Sequence, residues 1–211
     1  MRRGALWTVL GVLLLGTALG LTLWNLRQDR QAGDAAAAVT AQLTRESAAR
    51  KAARAAETQP AADGAAEAVP DHVRYPGMEM PVTEVDGTAY IGVLTIPALD
   101  LALPVQSEWS YPALRRTPCR YSGSAYRDDL ILLAHNYESH FGRLKSLSPG
   151  DAVLFTDADG NEFAYEVLEL EMLRPTAVED MTAGDWDLTL FTCTLGGQAR
   201  VTVRCLRTDR S

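Results

Sequence analysis

An all-β fold is predicted for residues 79–211: a barrel or a sandwich of short strands, with short helices. Three observations predict it. Short apolar runs recur from about residue 84, several alternate with a period of two, and Gly, Asp, Asn or Pro clusters separate them. An N-terminal transmembrane helix and an Ala-rich stalk are expected to precede this β domain. The expected division is 1–30 membrane anchor, 31–78 Ala/Pro-rich stalk and linker, and 79–211 β domain.

The anchor comes first along the chain. Gly4 to Leu26 is a 23-residue run without a charge, about 34 Å long as a helix and long enough for a hydrocarbon core of about 30 Å. Arg2 and Arg3 precede it, Arg27 and Arg30 follow it, and Trp7 and Trp24 fall near its ends, where indole rings favour the interface. The expectation is a single-pass anchor in the cell membrane, N-terminus cytoplasmic and the rest outside. A cleaved signal peptide is the competing reading, with Gly16, Ala18 and Gly20 as small residues inside the run. Residues 32–68 are rich in Ala with scattered Arg and Glu, a helix-favouring composition. They carry no stripe of Leu, Ile or Val to bury, so they read as a helical spacer. Pro60, Gly64, Pro70, Pro76 and Gly77 then break regular structure.

Strands are expected at Tyr90–Ile96, at Leu99–Leu103 ending at Pro104, at Leu130–Ala134 and at Ala152–Thr156. Further strands are expected at Phe163–Met172, Leu188–Cys193 and Arg200–Leu206. Asp157–Asn161 is a hairpin turn between two of them. Ser107–Leu114 and Glu179–Asp187 are candidates for short helices.

Charge narrows the function. The net charge is −7, and it is uneven: residues 1–78 hold nine Lys/Arg against seven Asp/Glu, leaving the β domain strongly acidic. Nucleic acid is therefore not expected as a partner, because phosphate binding needs a basic surface. Zinc-ligand spacing and a phosphate-binding Gly-rich loop are both missing. The acidic turn from Asp157 fails as a calcium loop, since its twelfth position is Leu168 rather than Glu. No cofactor or metal is expected; calcium modulation through other acidic loops stays open.

Candidate chemistry rests on three residues. His135 and Cys193 each follow an apolar strand, and a Cys and a His far apart in sequence can meet as nucleophile and base. Arg200 lies seven residues after Cys193, where a hairpin returns it to the thiol and a guanidinium can stabilise an oxyanion. The bland readings are a buried apolar thiol, a hydrogen-bonded structural His and a solvated strand Arg. Arg204 and Arg207 rival Arg200. Arg204 shares its strand face but lies roughly 13 Å further along. Cys205 takes the period-two position with Val201 and Val203, which suits a core thiol. Cys119 and Cys205 read as two buried reduced thiols, with a disulfide between them as the alternative. His140 is read as a loop side chain near the mouth of the site.

Thr189-Leu190-Phe191-Thr192-Cys193 with Arg200 downstream resembles the sortase signature TLxTC followed by Arg. Leu132-Leu133-Ala134-His135-Asn136 resembles that family's strand-end His motif, with Ala134 where Gly is common. Ile91 to Pro97 resembles its first barrel strand, and Leu147 to Asp151 with Phe163 to Val167 its middle strands. The resemblance spans about residues 85–208. Asn136 to Gly142 is more similar to class B or D members than to class A.

The resemblance implies a closed, mostly antiparallel sortase-like β-barrel of about eight strands over residues 79–211, and a membrane-tethered cysteine transpeptidase. Cys193 would attack the Thr carbonyl of an LPxTG-like sorting motif near the C-terminus of a protein substrate. His135 would protonate the leaving amine and then deprotonate the incoming one, and Arg200 would steady the oxyanion. Thr192 is expected to add a hydrogen bond to the substrate. Asn136 is a second candidate substrate-binding residue, with a turn role as its rival reading. The amine acceptor would be a peptidoglycan cross-bridge or a pilin Lys. A hydrolytic Cys peptidase on the same fold and a non-catalytic, membrane-tethered binding module are the alternatives.

Overall fold

A computed structural model describes residues 2–57, 70–75 and 77–209. Helix α1 (Arg2–Glu57) runs unbroken, and one turn of helix, α2 (Asp71–Arg74), precedes the sheet. There follow β1 (Thr83–Val85), β2 (Thr88–Ile96), β3 (Leu101–Gln106), α3 (Tyr111–Leu114), β4 (Cys119–Ser122) and β5 (Leu130–Ala134). The chain continues with β6 (Ala152–Asp157), β7 (Glu162–Leu173), α4 (Val178–Thr182), β8 (Leu188–Cys193) and β9 (Arg200–Arg207). The strand order is β1-β2-β3-β4-β5-β8-β9-β7-β6, and a further pairing of β2 with β6 closes strands β2 to β9 into an eight-stranded barrel. Only β3–β4 and β5–β8 are parallel among the described pairings.

Closure depends on Gly92. Its residue position faces Val105 of β3 on one side and Asp157 of β6 on the other. A Cβ there would lie 2.1 Å from the Thr156 carbonyl oxygen, at a φ of +155°, so a residue without a side chain is needed where the two edges meet.

Alternation sorts the side chains. Leu94, Ile96, Leu130, Leu132, Phe155, Phe163, Leu188, Leu190, Val203 and Cys205 pack inside the barrel. Their neighbours Ile131, Leu133 and Phe191 point outward and join Leu114, Cys119 and Met181 in a smaller cluster beneath α3 and α4. Cys119 and Cys205 are thus buried in different clusters, and all three cysteines are free. Burial pushes both thiols up to about 12. The expected turn is present: the Asp157 carboxylate accepts from the Asp159 and Asn161 amides, from Asn161 Nδ2 and from the Tyr126 hydroxyl.

The second strand is placed differently from expectation. Pro97–Leu99 is a 3₁₀ turn, β3 begins at Leu101, and Pro104 lies inside it opposite Val93. The proline is tolerated because β3 meets β4 only at Gln106, which leaves most of its outer edge without a strand. Helix α1 lies there instead, and Thr40 Oγ1 donates to the Ala102 carbonyl at 3.3 Å. Two short strands, β1 and β4, were not anticipated.

A larger correction concerns the expected spacer. It has no Leu/Ile/Val stripe, but it does bury a face made of small residues. Ala32, Ala36, Leu43 and Ser47 are buried at helical spacing, and Leu43 and Val39 pack on Val85, Tyr90 and Val93. Small side chains bring the helix backbone close to the sheet, so packing is gained without a strong hydrophobic signal. Further along, Arg50 Nη1 donates to the Ala158 carbonyl at 3.1 Å and Lys51 pairs with Glu162 at 2.9 Å. By contrast, the stretch from Trp7 to Leu26 leaves its large apolar side chains exposed. By length and composition the helix can cross a membrane. The expected breaks at Pro60, Gly64 and Pro76 lie outside the described residues.

Candidate active site

Two neighbouring strands bring the candidate residues together. β5 and β8 are parallel, with Ala134 opposite Thr192. The next residues along, His135 and Cys193, fall on the outward face shared with Leu133 and Phe191. β8 and β9 are antiparallel, and their last pair is Cys193 opposite Arg200. The loop between them is tied by the Thr194 amide donating to the Ala199 carbonyl and the Gly197 amide to the Thr194 carbonyl. Arg200 therefore returns beside Cys193 on the outer face.

All three line one pocket of about 190 Å3. One wall carries Trp109, Tyr111 and Leu114 from the segment around α3, with Tyr121 of β4. The opposite wall carries Arg174, Pro175, Ala177, Val178 and Met181 from the β7–β8 connection. Its charged lining residues are both arginines, Arg174 and Arg200, in a domain that is otherwise acidic. Arg200 forms no salt bridge among the described residues; its nearest partner is the adjacent Ala199 carbonyl at 3.5 Å.

Thr192 is buried, and its hydroxyl donates to the Ala134 carbonyl at 2.8 Å. That bond ties together the strand ends from which His135 and Cys193 project. Asn136 is half-buried and does not line the pocket. His135 stacks on Tyr137 with ring centroids 5.0 Å apart. Burial, aided by Arg115, lowers its pKa and so favours the neutral ring, the form able to accept a proton.

Arg204, the rival of Arg200, is buried and fully engaged. It donates to Glu171 Oε1 at 2.6 Å, the Asp180 and Met181 carbonyls at 2.6 and 2.8 Å, and Thr189 Oγ1 at 3.1 Å. It braces the wall that contains α4 and does not face the pocket. Arg207 pairs with Asp128 and Asp209. His140 differs from expectation: it is wholly buried, with neither ring nitrogen hydrogen-bonded among the described residues. Burial pushes its pKa down to about 4. The aromatic wall and Tyr137 escaped sequence reasoning. Their only sequence signal was the density of aromatic residues in loops, Trp109 and Tyr111 in one and Tyr137 in another. Among the described residues, no group of three or more His, Cys, Asp or Glu side chains is arranged to hold a metal.

Comparisons agree with this architecture. The family profile for the sortase domain matches residues 94–208, more than half of the chain. Sortase C1 from Streptococcus agalactiae is similar in structure, with 25% identity and a TM-score of 0.53 over 61% of this chain and 72% of that one. Clostridium perfringens sortase C, solved with the C-terminal cell wall sorting motif, has 24% identity and a TM-score of 0.50, covering 57% of this chain and 71% of that one. The Pilus Island 1 sortase C2 of group B Streptococcus has 23% identity and a TM-score of 0.50 over 59% and 76% of the two chains. At these last two identities the likeness is one of fold. No curated protein matches by sequence.

Proposed function

The chain belongs to the sortase family, and from that premise we propose that it is a membrane-anchored transpeptidase acting through Cys193, His135 and Arg200. The observation that carries the reading is the convergence of these three side chains on one pocket, with Cys193 and Arg200 paired across β8–β9. Cys193 Sγ gives its proton to His135 and attacks the Thr carbonyl of an LPxTG-like motif. The C–S bond forms, the C–N bond breaks, and the same proton passes from His135 to the leaving amine. Arg200, free of carboxylate partners among the described residues, faces the developing oxyanion. An acceptor amine then loses a proton to His135 and attacks the thioester. An amide forms and the sulfur leaves with that proton. Peptidoglycan cross-bridges and pilin Lys residues both supply such an amine. The apolar start of α1 supports a membrane tether, and the proposal places that tether in the cell membrane with the barrel outside.

The test uses the full chain in lipid nanodiscs with LPxTG-type peptides, with and without an added amine. The expected result is a thioester on Cys193 by mass, amide product when amine is present, and at least a thousandfold loss of turnover in Cys193→Ala with the fold retained. Undiminished turnover in that variant overturns the mechanism. Hydrolysis alone in the presence of amine identifies a peptidase instead.

A further inference from the structure

The N-terminal helix touches the loop that follows His135. Asp29 Oδ1 accepts hydrogen bonds from the Ser139 amide at 3.0 Å and from the Ser139 hydroxyl, which also reaches the Asp29 carbonyl at 3.1 Å. One residue earlier, Gln28 Oε1 accepts from the Tyr137 hydroxyl at 3.4 Å. Gly33, one turn further on, lets the helix lie close: a Cβ there would sit 3.1 Å from Ser139 Cβ. Ser139 and Tyr137 belong to the loop that leaves His135. The loop is a compact turn, in which the His140 and Gly142 amides both donate to the Tyr137 carbonyl and the Phe141 amide donates to the His135 carbonyl. Tyr137 in turn stacks on the His135 ring. Asp29 lies three residues beyond Leu26, where the apolar run ends, a rise of about 4.5 Å along the helix.

We propose that the helix segment from Gln28 to Gly33 is a positioning element of the active site, holding the His135 ring through Ser139 and Tyr137. The anchor helix is then part of the catalytic machinery as well as a tether. It sets the aim of the imidazole and holds its loop close to the plane where the apolar run ends. The inference rests on the transpeptidase reading. It predicts that severing the clamp slows the chemical step without weakening peptide binding, because a misaimed base costs rate while the groove walls stay in place.

The experiment compares the full wild-type chain in nanodiscs with Asp29→Ala, Asp29→Asn and Thr40→Ala. Peptide transfer and hydrogen exchange of the loop containing Ser139 are both measured. Asp29→Ala is expected to lower kcat about tenfold with KM within about twofold, and to speed exchange in that loop. Asp29→Asn keeps an acceptor oxygen and is expected to recover most of kcat. Thr40→Ala severs a helix–barrel bond remote from the loop and is expected to keep wild-type kcat. Wild-type kcat or unchanged exchange in Asp29→Ala overturns the proposal. So does an equal loss of kcat in Thr40→Ala, which would assign the effect to helix docking in general. A wild-type chain without transfer activity would defeat the transpeptidase reading, and exchange in Asp29→Ala would still decide whether the clamp exists.

Discussion

The two sides of the groove are held in opposite ways. The β7–β8 side is pinned from beneath by one buried cation, Arg204, which gathers a carboxylate, a hydroxyl and two helix carbonyls around its guanidinium. The His135 side is held from outside by a helix that arrives from the other end of the chain, through the Asp29–Ser139 bonds and a stacked tyrosine. Arg204 and Arg200 share one face of one strand, yet the first is covered by α4 and the second opens onto the pocket. Cover, more than residue type, separates a structural arginine from one available to a substrate. A wall fixed by a buried cation is expected to fail by loss of stability. A wall fixed by a peripheral clamp is expected to fail by loss of rate.

The largest effect should come from the pinned side. In Arg204→Met the Glu171 carboxylate, Thr189 hydroxyl and two carbonyls lose their shared donor. Glu171 stays partly solvated, with 30% of its side chain exposed, but the hydroxyl and the helix carbonyls lose a buried donor, which costs about 4 kcal/mol in all. Denaturant unfolding of the full chain should show that loss, with KM for the peptide rising more than kcat falls, because α4 and its neighbours line the groove. A variant as stable as wild type would mean that α4 is held by something other than Arg204.

Next in size is a pH effect beneath the other side. His140 is buried under Tyr137, with ring centroids 5.4 Å apart. Burial outweighs the nearby Asp29 charge and, with a small contribution from His135, holds its pKa at about 4 against an ordinary 6.5. Between those values the unfolded chain binds a proton that the folded chain refuses. The stability is therefore fully present above about pH 6.5 and is lost as pH falls towards 4, by about 3 kcal/mol. His135 and His72 are also lowered by burial and act in the same direction. His140→Phe isolates the one contribution: its stability should fall less between pH 7 and pH 4 than that of wild type, by about that amount. Parallel stability–pH curves for the two proteins would show that His140 is solvated in solution.

What could be read in advance follows from the physics of each signal. Strands β5 and β8 were legible to the residue because their apolar runs end where polar residues begin. The meeting of Cys193 with Arg200 followed from a short hairpin. The docking of α1 was invisible because Ala32 and Ala36 bury little apolar area and so leave no amphipathic stripe. Strands β1 and β4, at three and four residues, are too short to show a period. Tyr137 and Ser139 looked like ordinary loop residues because their partners on the helix, Gln28 and Asp29, lie more than a hundred positions away.

The smallest effect gives the sharpest separation of stability from rate. In Gly33→Ala the helix interior gains about 1 kcal/mol of propensity. The new methyl meets Ser139 Cβ at 3.1 Å, closer than ordinary contact, so the loop or the helix must yield by a few tenths of an ångström. The two terms offset, and thermal unfolding of the full chain should shift by only about 2 °C in either direction. The displacement acts on the residue that Asp29 holds, so kcat should fall about threefold while KM stays level. A variant that gains stability and keeps full kcat would show that the loop absorbs the methyl without moving His135. The outer clamp would then tolerate slack, and its rate effect would have to come from Asp29 alone.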